Sequence, residues 1–280
     1  MTPSQSVSQP RVLAGFDGST PAWRALERAA EEAELRSVPL EILLGRPWDR
    51  TGPPESADQG ALFESAHAMV ERAAGQLRER HPGLELTASV SSQPAGSELL
   101  RRGRRAALTV VGNRGRGDIA GLLLGSVSMA VAAHAERPLL VVREDAEARH
   151  GRVLMGLKSE ADQEALGYAF EEAARRGAEL LVLRAWRFST YPTTVPDEQT
   201  AAAVARFAVR EEREKHPEVT VRTEAVLGDE ARRLAEASAE ADVLVIAAHR
   251  NRHRFGPRLG PVTHAVLHHA RCPVAVVPAE

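Results

Sequence analysis

The sequence predicts an α/β protein built as two tandem doubly wound parallel-sheet domains of five strands each. Three observations predict it. The first is a duplication: RVLAGFDGST at 11–20 resembles RVLMGLKSE at 152–160, GSVSMAVAAHA at 125–135 resembles GPVTHAVLHHA at 260–270, and ERPLLVV at 136–142 resembles ARCPVAVV at 270–277. The offset is near half of the 280 residues, too long for a solenoid period and right for two ordinary domains. The second is alternation of short apolar runs with stretches of helical periodicity, the pattern of βαβ units with right-handed crossovers. The third is that most of these runs are apolar throughout, which suits strands covered on both faces.

Taken in order, the first ten residues are a loose polar tail with neither a basic segment nor an apolar core, so they do not read as a signal peptide. The first domain spans 11–143, with strands expected over Val12–Phe16, Leu40–Leu44, Leu84–Val90, Leu108–Val111 and Leu139–Val142. Only Leu84–Val90 alternates apolar with polar residues, as a half-exposed strand does. Between strands, Leu26, Ala29, Ala30 and Ala33 share one helical face, as do Leu62, Ala66, Met69, Val70, Ala73 and Leu77. Thr20 ahead of Pro21 reads as a helix start, a capping hydroxyl followed by proline at the first position. The charged stretch 144–151 lacks periodic apolar residues and is the expected linker. The second domain, 152–280, repeats the strands at Val153–Leu157, Leu180–Leu183, Val219–Val226, Val243–Ala247 and Val274–Val277.

Composition narrows the function classes. Hydrophobic content of 43% with 26% charged residues is globular, and a net charge of −2 exerts no global pull on nucleic acid or anionic lipid. No apolar run approaches the roughly 20 residues that span a bilayer. One cysteine, Cys272, precludes an internal disulfide and fits a reducing compartment. The expected setting is the cytoplasm, with no membrane and no nucleic acid as partner.

Glycines at 112, 115, 117 and 125 mark the chemistry. Gly115 to Ala120 matches a G-x-G-x-x-A dinucleotide pattern, but that fingerprint joins the first strand to the first helix, whereas this stretch follows the fourth strand. The match is accidental, and no P-loop motif occurs. A glycine-rich loop opening a helix nevertheless offers free N–H groups and a favourable dipole to an anion. If the strand order is 3-2-1-4-5, it reverses between strands one and four, whose carboxyl ends carry Asp17 and Gly112. A carboxylate facing a phosphate cradle suits a nucleotide, with or without a divalent metal.

Gly15-Phe16-Asp17, followed by the spacing G-x2-G-x9-G-S over Gly112, Gly115, Gly125 and Ser126, resembles the ATP-binding universal stress proteins in their tandem form. The resemblance covers nearly the whole chain and implies a nucleotide-binding α-hydrolase-like fold. It implies ATP as ligand, with or without Mg2+, and an output as a stress sensor or signalling module rather than an enzyme. Gly112, Asn113, Arg114, Gly115, Arg116, Gly117, Gly125 and Ser126 would hold phosphates and ribose, with Gly15 and Asp17 beside them. Backbone near Pro47 would meet adenine; proline has no N–H, so that contact falls to a carbonyl or a neighbour. The resemblance also implies pairing of the two domains through their fifth strands and allows a homodimer. The rivals are a weak ATPase or phosphotransferase on the same site, and an interaction module that has lost nucleotide.

The halves are not expected to be equal. Asp17 falls opposite Lys158 with Gly18 deleted, Gly112 opposite Ala247, Gly115 opposite Arg250 and Ser126 opposite Pro261; Gly125 alone keeps a glycine, Gly260. Lys158, Arg250, Arg252, Arg254 and Arg258 could draw an anion without a cradle, but flexible loop cations do not replace preorganised N–H donors. The remaining candidates read as structural: the basic run at 101–105 as a solvated helix end, His264 and His268 as a pair lacking zinc-site partners, and Cys272 as a buried hydrophobe. His134, which recurs as His269, reads as a capping or packing residue.

Overall fold

The computed structural model describes residues 10–46, 58–115, 124–143, 149–186, 198–249, 251–253 and 256–279. In the first half β1 (Val12–Phe16), α1 (Thr20–Arg36), β2 (Leu40–Leu44), α2 (Gln59–Arg80) and β3 (Leu86–Val90) come first. They are followed by α3 (Ala95–Gly103), β4 (Leu108–Gly112), α4 (Ser126–His134) and β5 (Leu139–Val142). The second half runs β6 (Arg152–Gly156), α5 (Gln163–Arg176), β7 (Glu179–Trp186), α6 (Glu198–Ala208), α7 (Arg210–Lys215) and β8 (Val221–Leu227). It closes with α8 (Glu230–Ala237), β9 (Val243–His249), β10 (Asn251–His253), β11 (Gly256–Arg258), α9 (Pro261–His269) and β12 (Val274–Ala279).

Ten strands form one sheet in the order β3-β2-β1-β4-β5-β12-β9-β6-β7-β8. In this sheet every pairing within a half is parallel; β5 and β12 meet antiparallel, with Leu140 opposite Ala275. Strand alternation divides the core into two layers. Val12, Ala14 and Ile42 face α1, α2, α5 and α6 on one side, whereas Leu13, Leu43 and Val111 face α3, α4, α8 and α9 on the other. Each layer runs unbroken across both halves.

Local chemistry corrects several boundaries. Ser19, not Thr20, caps α1: its Oγ accepts from the Ala22 N–H at 3.2 Å, and Thr20 is the first helical residue. β3 and β8 start two residues later than expected, because the Leu84 N–H is spent on the His81 carbonyl and that of Val219 on the His216 carbonyl. Residues 251–258, expected as loop, contain the short antiparallel ladder of β10 and β11.

Candidate functional site

Sheets of this kind carry ligands beyond the strand carboxyl ends at the point where strand order reverses. Here β1 and β4 flank that point, and a cleft of about 220 Å³ opens above them. Its construction begins with backbone. Gly18 adopts φ 82, a left-handed conformation that side chains disfavour, and so turns Asp17 back on itself. The Asp17 Oδ1 then accepts the Ser19 N–H at 2.9 Å. Across the cleft Gly115 approaches the same carboxylate so closely that a Cβ there would lie 2.5 Å from Asp17 Oδ2. Gly112 serves packing: a Cβ would sit 2.8 Å from the Pro21 carbonyl oxygen, where α1 starts against the end of β4.

α4 begins at the cleft without a capping side chain. Gly125 is its extended N-cap residue, and its N–H donates to the Asn113 carbonyl at 2.7 Å. The Ser128 hydroxyl, one turn in, donates to the Gly112 carbonyl at 2.6 Å and ties the helix to β4. The helix N-terminus thus points its leading N–H groups and dipole at the space above Asp17.

Gly15, Asp17, Gly112, Arg114, Gly115, Gly125 and Ser126 all line the cleft. Asn113 does not. It is 3% exposed, its N–H donates to the Val142 carbonyl, and its Oδ1 is buried without a hydrogen-bond partner among the described residues. It positions the loop from below. Pro47, Arg116 and Gly117 lie outside the described residues. Sequence reading missed the apolar wall of Leu43, Ala95, Leu99 and Val127 opposite the glycines. It also missed Gly45, where a Cβ would fall 2.5 Å from the Ala95 Cα; a lone glycine after an apolar strand was the available signal.

In the second half, strand register puts Ala247 at the place of Gly112 and Lys158 at that of Asp17. A carboxylate nevertheless reaches this turn from another position. Asp162, just ahead of α5, reaches back to accept the backbone N–H groups of Lys158 at 2.6 Å and Ser159 at 3.0 Å. His249 Nε2 lies 2.5 Å from its other oxygen. The turn's N–H donors are therefore satisfied by an internal anion, and Asp162 is 1% exposed. Pro261 follows Gly260 at the first position of α9, where Ser126 stands in the first half. Arg250 and Arg254 lie outside the described residues.

The universal stress protein family matches residues 10–143 and again 150–278. The chain belongs to this family. A universal stress protein of Mycobacterium tuberculosis is 32% identical, over 96% of this chain and 99% of the relative. The crystal structure of a universal stress protein from Archaeoglobus fulgidus superposes with a TM-score of 0.72 at 17% identity, covering 98% of this chain and 99% of its own. A solved universal stress protein in complex with cAMP is 28% identical over 48% of this chain, with a TM-score of 0.36.

The other candidates resolve into packing. Arg101 and Arg102 are not merely solvated: both hold Glu98, and Arg102 also reaches Glu41 and the Ser89 hydroxyl. The His264 and His268 rings lie tilted against each other with centroids 4.5 Å apart. Among the described residues no three His, Cys, Asp or Glu converge on a metal position. His134 sits at the end of α4 with Nδ1 2.9 Å from the Ala130 carbonyl. Cys272 is buried, and burial pushes its thiol up to about 12, which leaves it inert at neutral pH. No helix among the described residues is long and apolar enough to cross a membrane.

Proposed function

We propose that the first half binds ATP in the cleft between β1 and β4, and that the chain acts through this binding as a stress-responsive sensor or signalling module in the cytoplasm. The observation that carries the reading is the juxtaposition of Asp17, the close-approaching Gly115 backbone and the uncapped N-terminus of α4. Phosphates suit the N–H-rich side, the ribose hydroxyls suit the Asp17 carboxylate, and a flat apolar base suits the wall of Leu43, Leu99 and Val127. Among the described residues lining the cleft Asp17 is the one carboxylate, which fits Mg2+ carried in on the phosphates rather than held by a protein cage. Arg114 stands where it can neutralise phosphate charge.

Among its described residues the second half carries no matching site, because Asp162 already occupies its turn donors. Domain boundaries at 11–143 and 152–280, and pairing of the domains in solution through β5 and β12, complete the reading. Calorimetry with ATP tests it. One ATP per chain is expected, and Gly115→Val should bind none while keeping the wild-type circular dichroism. Two equivalent sites, or undiminished binding by Gly115→Val, would overturn it.

A further inference from the structure

One contact between the halves is not repeated by their symmetry. Leu140 of β5 pairs with Val110 of β4, and Ala275 of β12 with Val245 of β9, so Leu140 and Ala275 are counterparts in the two halves. Three residues further on, Arg143 answers Pro278. Arg143 leaves the end of β5 and donates from Nη1 to the Leu267 carbonyl, in the last turn of α9, at 2.8 Å. Proline has no N–H and no side-chain donor, so position 278 returns no such bond.

The Leu267 carbonyl needs this donor. α9 ends at His269, and Ala270 beyond it is extended. The N–H that would meet Leu267 in a continuing helix belongs to Arg271, and it is spent on the Ser238 hydroxyl at 2.8 Å. Leu267 is buried, and a buried carbonyl left orphaned at a helix end costs free energy. A cation suits that end of a helix, because it also meets the negative pole of the dipole. Arg143 of the first half thus caps a helix of the second.

From Arg143 the connection runs on to the cleft. The residue before it, Val142, accepts the Asn113 N–H on its carbonyl at 2.9 Å, and the Asn113 carbonyl accepts the Gly125 N–H at 2.7 Å. Gly125 is the N-cap residue of α4, while Arg114 and Gly115, next along from Asn113, line the cleft. Both links are backbone hydrogen bonds, so pinning the peptide between Val142 and Arg143 also pins the two ends of the glycine loop.

We propose that Arg143 is a positioning residue through which the second half holds the phosphate side of the first half's cleft in place. The proposal rests on the ATP reading above and gives the second half a part in it, although its own turn is closed by Asp162. The missing arginine at position 278 agrees with this: the hold exists only on the side that has a cradle to hold.

The test uses the full chain carrying Arg143→Ala or Arg143→Lys. Without nucleotide, amide exchange at Asn113 and Gly125 should be about tenfold faster in the alanine variant, while the amides of Val12–Phe16 keep wild-type rates. ATP affinity should fall about tenfold, in keeping with the loss of a hydrogen bond from a charged donor. Lysine keeps a cation that can reach a carbonyl and should recover most of both losses. The proposal is overturned if Asn113 and Gly125 exchange at wild-type rates in the alanine variant, or if the acceleration extends equally through β1. It is also overturned if the alanine variant binds ATP as tightly as the wild type, or if lysine behaves as alanine does. A wild-type chain that binds no ATP, with exchange at Asn113 and Gly125 still faster in the alanine variant, would uphold the hold by Arg143 and overturn the ATP reading instead.

Discussion

Gly112 and Gly115 belong to one motif and do different work. At Gly112 the neighbour is backbone, the Pro21 carbonyl at 2.8 Å from a hypothetical Cβ, and α1 cannot retreat without leaving the sheet. At Gly115 the neighbour is the end of a side chain, Asp17 Oδ2, which can swing away. Gly112→Ala should therefore cost about 1–3 kcal/mol of stability, the usual range for overpacking. Gly115→Ala should leave thermal unfolding near wild type and weaken ATP binding. Denaturant titration of both variants, beside calorimetry, checks the split; equal destabilisation would show that the two glycines share a structural role.

α3 is held to β2 by a partly buried charge network that sequence reading left as solvated arginines. Hydrogen bonds from Arg101 and then Arg102 outweigh burial and hold the Glu98 carboxyl down to about 2, below its ordinary 4.5. A folded-state value below the unfolded one stabilises the fold above pH 4.5, and that stability drains away as pH falls toward 2. Glu98→Gln should lower stability at neutral pH and flatten the loss between about pH 4.5 and 2, read as the unfolding midpoint across an acid series. An unchanged acid limb would assign the network no share in acid sensitivity. α3 also supplies Ala95 and Leu99 to the cleft, so its loosening should weaken nucleotide binding as well.

The two halves share one sheet and both core layers, so the β5–β12 seam is an internal core rather than a surface contact. Val141 is 0% exposed and faces Val274 across it. Val141→Asp would place an unpaired carboxylate there. The expected result is faster proteolysis of the linker at 144–151 with little change in helix content; an unaltered cleavage rate would mean that the helices above the seam hold the halves without the ladder.

The duplication, the strand and helix classes and the glycine spacing were legible in the sequence, because each depends on signals within a few residues. Apolar runs mark buried strands, 3.6-residue periodicity marks helix faces, and glycine marks tight backbone. The runs Val12–Phe16, Leu40–Leu44 and Leu139–Val142 became strands with those limits. Asn113 is the instructive exception inside the motif: its place next to Gly112 said nothing about the pleat that turns it away from the cleft. What remained hidden joins residues far apart in the chain. Asp162 reaches His249 across 87 positions, Arg36 reaches Glu172 across 136, and the wall of the cleft brings Leu43, Leu99 and Val127 together from three elements. Such contacts are decided by crossover handedness and strand register, which place elements in three dimensions after local chemistry has formed them. Periodicity shows that a helix has a buried face; only the assembled sheet settles which partner that face meets.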